Sequence, residues 1–312
     1  MAASLYWLQL GGCGGDTMSL LSSEAPDVTE LLAQLDIDVL WHPSLSNDIS
    51  SRHQALIQRL TSGELPLEIL CIEGAILRGP SGTGMYDAIG GKPKKDLVRA
   101  LAEQARFVIA VGTCACFGGI GSEGETEATG AQFHKSTPGG FLGRDFQSRS
   151  GLPVINLPGC PCHCEPLVGV LSALVYGLEL PLDSLQSPLD WYGTLVHQGC
   201  TRNEYHEYRV EERDFGETGC LFFHLGCHGP LVYGPCNKSL WNGRSSKTRV
   251  GVPCFGCTRP DFPQPYPFFK TQAIEEIPLQ LPDGVDRAHY LAYKWMAAAA
   301  APRRLKNRET KV

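Results

Sequence analysis

Along the first 180 residues, short apolar runs alternate with segments whose apolar positions recur at helical spacing. Leu5–Leu10, Ile37–Trp41, Leu67–Ile72, Phe107–Val111 and Val154–Leu157 predict five strands. Thr17–Ser22, Asp27–Leu35, Arg52–Leu60, Lys95–Ala105 and Glu165–Tyr176 predict helices, with Asp27 as an acid in a first turn. Apolar strands separated by helices imply a parallel sheet covered on both faces. Beyond Asp190 the helical period fades and turn sequences take over, among them Gly216-Glu-Thr-Gly219, Gly226-Cys-His-Gly-Pro230 and Gly234-Pro-Cys-Asn237. The reading is an α/β domain over 1–185 and a second domain over 186–312 with little regular structure. Pro302–Val312 is basic and polar, a tail expected to be frayed or held by a partner.

Composition narrows the class. With 43% hydrophobic and 19% charged residues, the chain has the make-up of a folded globular protein. Its net charge of -6 argues against nucleic acid as a general partner, because phosphate binding needs a basic surface. The start, Met1-Ala-Ala-Ser-Leu-Tyr-Trp, lacks the basic opening of an export signal and runs directly into an apolar strand. No apolar stretch is long enough to span a bilayer; Leu167–Leu182 is broken by Gly and Glu. The expectation is a cytoplasmic protein, or one attached peripherally to the inner face of the membrane. In a reducing compartment, thirteen cysteines are better read as metal ligands than as disulfides.

The cysteines are not scattered. Cys13, Cys114 and Cys160 each follow a predicted strand, as does Glu73, so all four fall at the carboxyl ends of parallel strands, where open α/β sheets place their ligands. A lone buried thiol is usually packing. Three in equivalent positions beside glycines suggest a ligand set. In the second domain, six cysteines lie between His197 and Cys257. They divide into His197, Cys200, Cys220 and Cys227, then Cys236, Cys254 and Cys257. One histidine with three thiolates also suits zinc. Two sets of only three cysteines suit zinc poorly, whereas iron–sulfur clusters tolerate three-thiolate sites.

Gly11-Gly-Cys13, Val111-Gly-Thr-Cys114-Ala, Leu157-Pro-Gly-Cys160-Pro, His197-Gln-Gly-Cys200, Leu225-Gly-Cys227-His-Gly-Pro230 and Pro253-Cys254-Phe-Gly-Cys257 occur in the order found in nickel–iron hydrogenase small subunits. From residue 5 to about 265 the chain resembles that family, in its signal-less cytoplasmic uptake or actinobacterial-type branches. The resemblance implies a flavodoxin-like domain with a proximal cluster held by Cys13, Cys114 and Cys160. It further implies a medial cluster on Cys236, Cys254 and Cys257, and a distal [4Fe-4S] cluster on His197, Cys200, Cys220 and Cys227. Electrons from hydrogen oxidation at a nickel–iron large subunit would pass through the three clusters to an external acceptor, a quinone, a cytochrome or an iron–sulfur protein. Assembly into a higher oligomer of heterodimers is expected, and no catalytic residue in this chain.

Two departures stand out. Where the family has Cys-x-x-Cys, this chain has Cys13-Gly-Gly-Asp16. Either Asp16 ligates a proximal [4Fe-4S] cluster through oxygen, or the cluster is [3Fe-4S]; the plain alternative is that Asp16 caps a helix beginning near Thr17. The spacing from Cys220 to Cys227 is one residue longer than in periplasmic relatives, in keeping with the signal-less branches. Three thiols at the medial set imply [3Fe-4S].

The remaining cysteines read differently. Cys71, inside a strand, reads as packing. Cys116, Cys162 and Cys164 read as neighbours of the proximal site, with Cys160 the better ligand. Glu73 is an exposed turn carboxylate or part of a proton path near the large subunit. His224 and His228 are supporting donors or surface residues. Two further functions stay open: a hydrogen-sensing member of the same family, and a non-hydrogenase iron–sulfur carrier such as the respiratory quinone-reductase subunit, which lacks the His197–Cys257 region. A zinc-stapled interaction protein is the third class.

Overall fold

The computed structural model describes residues 2–264 and 270–310. The chain divides into two compact units, one running to Trp191 and including Thr258–Phe262, the other holding Tyr192–Cys257 and the residues from Pro263 onward.

The first unit is the α/β domain. Its strands are β1 (Ala3–Gln9), β2 (Ile37–Trp41), β3 (Leu67–Glu73), β4 (Ala105–Val111) and β5 (Ile155–Leu157). Its helices are α1 (Gly15–Leu21), α2 (Val28–Gln34), α3 (Ser50–Thr61), α4 (Lys94–Gln104), α5 (Gly112–Phe117) and α6 (Cys164–Tyr176). All five strands are parallel, in the order β2-β1-β3-β4-β5. That is the flavodoxin-like winding, whose switch of direction falls between β1 and β3. Leu70, Cys71 and Ile72 of β3 and Val108 to Val111 of β4 are all fully buried, since helices cover both faces of the central strands. Cys71 is therefore core packing.

Local chemistry sets the helix ends. Asp27 caps α2, its Oδ1 accepting from the N–H groups of Thr29 (2.8 Å) and Glu30 (2.9 Å) while Glu30 reaches back to the Asp27 N–H. It stands one position before the first turn in which the sequence reading set it. The His163 side chain caps α6 by accepting from the Glu165 N–H, and Gly177, at φ 66, ends that helix.

The second unit contains more helix than its sequence announced. Short helices α7 (Asn203–Glu207) and α8 (Phe222–Leu225) are joined by α9 (Arg287–Ala300), started by Asp286 accepting from the His289 N–H at 2.7 Å, and α10 (Arg303–Lys306). A compact core forms from Tyr205, Leu221, Phe223, Leu225, Tyr290 and Leu305. The tail, expected to be frayed or held by a partner, is anchored on its own unit as far as Thr310: Leu305 is fully buried, Arg304 pairs with Glu204, and the Thr310 carbonyl accepts from the Tyr205 hydroxyl. Among the described residues no helix is long and apolar enough to cross a membrane.

Candidate metal centres

Strand register gathers the first ligand set. Gln9 of β1 pairs with Glu73 of β3, Glu73 with Val111 of β4, and Val111 with Leu157 of β5, so one row marks the end of the sheet. Cys13, Cys114 and Cys160 follow that row after three or four residues, Cys13 and Cys160 on loops and Cys114 in the short helix α5. The segments are stitched together. The Thr113 N–H donates to the Gly159 carbonyl, and the Gly159 N–H to the Thr113 hydroxyl, both at 2.9 Å. Ser19 of α1 donates to the Cys162 carbonyl at 2.6 Å.

Asp16 lies inside this set and does not cap a helix. Its carboxylate accepts from the Cys162 N–H at 2.6 Å, across to the Cys160 loop. Burial pushes the Asp16 carboxyl up to about 7; the Cys162 N–H works against that rise, and nearby Glu73 adds to it. Capping falls to Glu73, whose Oε1 accepts from the N–H groups of Asp16 (3.1 Å) and Thr17 (2.9 Å). Its other oxygen accepts from Trp7 Nε1 (2.8 Å) and the Thr17 hydroxyl. Glu73 ends β3 and is 1% exposed, which corrects its reading as an exposed turn carboxylate. The sequence could not reveal this, because α1 begins without any capping side chain of its own.

Two glycines open the space around the donors. Gly112 has φ 85, and a Cβ there would stand 2.0 Å from the Asp16 carboxylate. A Cβ on Gly119 would stand 2.5 Å from Cys114 Sγ. Burial raises the Cys114 thiol, with Asp16 and Cys13 close enough to raise it further. Cys116 and Cys162 are fully or almost fully buried beside the set, and Cys116 points its thiol back to the Ala110 carbonyl at 3.3 Å.

In the second unit the organiser is a cation. Arg202, 3% exposed, donates to the carbonyls of Thr248 (2.6 Å), Glu217 (2.5 Å) and Gly219 (2.6 Å). Burial lowers its affinity for a proton, and Cys200, Cys220 and Cys227 stand near enough to restore part of it. The Arg202 N–H also points to Cys200 Sγ at 3.4 Å, so this buried cation lies close to the thiols of the distal set. Asn237 is a second organiser: its amide donates to the Val196 carbonyl, and its oxygen accepts from the Ser246 and Thr248 hydroxyls.

His197 faces His206, with ring centroids 4.7 Å apart, and His206 Nδ1 lies 3.4 Å from Cys220 Sγ. Burial pulls His206 down to about 4, with His197 and Arg209 pushing the same way. The sequence reading missed both His206 and Arg202, which belong to no spaced pair. The clue available was a basic residue two positions past Cys200.

Cys236, Cys254 and Cys257 also come together. Burial, then Cys257, raises the Cys236 thiol to about 12, and burial, then Cys227 and Cys257, raises Cys254. The Cys254 N–H points to Cys227 Sγ at 3.3 Å, so the two sets adjoin. His224 is not a surface residue: it is 2% exposed and bonds the buried Glu211 at 3.1 Å, alongside Tyr290 (2.8 Å) and Lys294 (3.0 Å) of α9. Among the described residues no three His, Cys, Asp or Glu groups converge tightly enough for a single ion, whose thiolate bonds run to about 2.3 Å for zinc. A polynuclear cluster spreads its thiolates over several irons, and three soft thiolate sets, the first with bare glycine walls, fit such groups.

A flavodoxin-like sheet with thiols along its ligand edge, followed by a thiol-rich unit, defines an iron–sulfur redox protein. Residues 13–174 match the family described as NADH ubiquinone oxidoreductase, 20 Kd subunit, and residues 192–270 match the family of the C-terminal part of NiFe/NiFeSe hydrogenase small subunits. The chain is 33% identical over 285 residues to the F420 non-reducing hydrogenase II small subunit of Methanosarcina mazei, covering 83% of this chain and 73% of that one. Among solved structures, the actinobacterial-type NiFe-hydrogenase from Ralstonia eutropha H16 superposes with a TM-score of 0.79 at 26% identity, over 99% of this chain and 88% of that one. The Ni-Fe-Se hydrogenase of Desulfomicrobium baculatum gives 0.71 at 29% identity, over 84% and 96%. The chain belongs to the nickel–iron hydrogenase small-subunit family, whose members work with a large subunit in hydrogen oxidation. Helix α9 lies beyond the part matched by the second of the two families.

Proposed function

We propose that this chain carries electrons away from hydrogen oxidation at a nickel–iron large subunit, through three iron–sulfur clusters, to an external acceptor. Cys13, Asp16, Cys114 and Cys160 would hold a proximal [4Fe-4S] cluster. Cys236, Cys254 and Cys257 would hold a medial [3Fe-4S] cluster, and His197, Cys200, Cys220 and Cys227 a distal [4Fe-4S] cluster. The clusters supply one-electron storage; the chain's own residues hold them, exclude water and set their surroundings. Location in the cytoplasm, or at the inner face of the membrane, belongs to the same reading, as does assembly of heterodimers into a larger oligomer.

The observation that carries the proximal assignment is the Asp16 carboxylate, part-buried among three thiol-bearing segments with Gly112 opened to receive it. A capping residue would point at its own helix, whereas this carboxylate points across to another loop. Iron nearby would favour the charged carboxylate, and a harder oxygen donor favours ferric iron over ferrous.

The test is EPR and iron analysis of the heterodimer purified with its large subunit, in the native form, Asp16→Cys and Asp16→Ala. The expected result is three clusters in the native protein and a three-iron signal at the medial set. Asp16→Cys should move the proximal potential, and Asp16→Ala should lose one iron there. An Asp16→Ala protein with unchanged iron content and proximal potential would overturn Asp16 as ligand; a colourless protein would overturn all three sites.

A further inference from the structure

Helix α9 is built inside out. Lys294, which a surface helix would turn to water, is 4% exposed and meets the buried Glu211 at 3.0 Å, with Tyr290 and Ala297 buried beside it. The side turned to solvent holds Tyr293, Trp295 and Met296, which are 45%, 51% and 68% exposed, with Ala288, Ala292 and Ala299 among them. At about 100° per residue these positions share one side of the helix, and its two fixed charges, Arg287 and Lys294, lie on the other. Arg287 donates to the Leu279 carbonyl at 3.1 Å, away from that side. A single exposed apolar residue is ordinary. Three large ones together on an uncharged helix face mark a surface that another body covers.

The ends of the helix define that body. At the head, Asp283 and Asp286 are exposed, and Asp286 accepts from the His289 N–H as the cap. At the foot, Arg303 is exposed, and Lys306 donates to the Ala299 carbonyl at 2.9 Å, so positive charge collects there. Arg304 is already paired with Glu204, whereas among the described residues Asp283 and Arg303 meet no opposite charge. A matching surface is therefore uncharged in the middle, basic beside the head and acidic beside the foot. A second copy of α9 running antiparallel meets all three conditions, and its macrodipole opposes the first favourably. An anionic lipid surface matches the foot but repels the head.

We infer that the outer face of α9 is where two copies of this chain meet, the helices antiparallel across a two-fold axis and Asp283 of each copy beside Arg303 of the other. The inference deepens the proposed assembly of heterodimers into a larger oligomer and rests on that reading. It gives the joint a place, on the second unit of the small subunit. The interface is isologous, so every contact occurs twice and one substitution acts on both sides of the seam. A helix of 14 residues is about 21 Å long, and a single pair of that length makes a small interface.

The test is analytical ultracentrifugation of the intact heterodimer, purified with its large subunit, over about 0.1–100 μM. The native protein should reach the mass of two heterodimers. Met296→Glu, at a position already 68% exposed, should leave the far-UV circular dichroism unchanged. It should raise the dissociation constant of the pair about a hundredfold or more, because it sets like charges on both sides of the seam. Asp283→Lys and Arg303→Glu should each weaken pairing about fivefold, and together restore it to within about twofold. A native heterodimer that stays single at every concentration would overturn this surface and the oligomer reading together. A native pair that Met296→Glu leaves intact would overturn this surface alone. If Met296→Glu no longer joined its large subunit, α9 would belong to that contact. If the native protein bound anionic vesicles in place of pairing and Met296→Glu did not, α9 would belong to lipid. Either result would overturn the inference. A double variant that pairs no better than its singles would overturn the antiparallel arrangement.

Discussion

The two units hold their thiols by opposite means. In the α/β unit a sheet buried on both faces fixes one row of strand ends, and Cys13, Cys114 and Cys160 inherit their positions from it. In the second unit the donors sit on turns, and their neighbours are held by two buried polar side chains, Arg202 and Asn237, rather than by a ladder. The first arrangement would survive without its cofactor. The second places a guanidinium and several thiols in one interior, and needs negative charge on those sulfurs to balance it. If the proposed clusters bind, their binding and folding should be separable in the first unit and linked in the second.

Removing iron should expose this contrast most strongly. After chelation, amides between 196 and 257 should exchange about a hundredfold faster or more, while those of β3 and β4 stay protected, because the proposed clusters of the second unit would tie its turns together whereas β3 and β4 are held by their own ladder and buried faces. Equal loss of protection in both units would break the comparison. Next comes Arg202→Met, expected to cost about 3–5 kcal/mol by stranding three carbonyls and the surrounding thiols, read as a shift of the second unit's denaturation midpoint. Leu70→Ala, a cavity in the centre of β3, should cost about 2–5 kcal/mol and move only the first unit's transition. If both substitutions moved both transitions together, the units would be one cooperative body.

Two smaller effects sharpen the picture of the first unit. Asp27→Ala removes a paired cap and should cost about 1 kcal/mol, measured by urea titration. His53 stacks on Trp41 at 3.6 Å and meets the Tyr6 hydroxyl at 2.8 Å. Burial holds His53 below its ordinary 6.5, with Asp48 opposing. Below pH 6.5 the unfolded chain therefore binds a proton that the folded one refuses, so His53 destabilises the fold as pH falls through that range and not above it. His53→Gln, which can still meet Tyr6, should flatten the loss of stability between pH 7 and 5; an unchanged slope would assign that loss to other groups.

Much of this was legible along the chain. Strand and helix periods located every element of the sheet, and cysteines following strands marked its ligand edge. The errors share one cause. Glu73 looked like a turn residue because its partners, Trp7 and the start of α1, are more than fifty positions away in sequence. Helix α9 was missed because its buried positions are Tyr290, Lys294 and Ala297, a set that no apolar pattern announces. Lys294 is buried only because Glu211 waits for it at 3.0 Å.

The sequence by itself determined the alternation of strand and helix, the class of donors and their grouping, because apolar period and residue type act locally. Tertiary structure alone decided that Asp16 turns to the Cys162 N–H while Glu73 takes over its cap, that Arg202 is buried next to Cys200, and that Lys294 of α9 meets Glu211. Those outcomes depend on which distant groups remain to satisfy a buried charge, and a linear pattern carries no record of that.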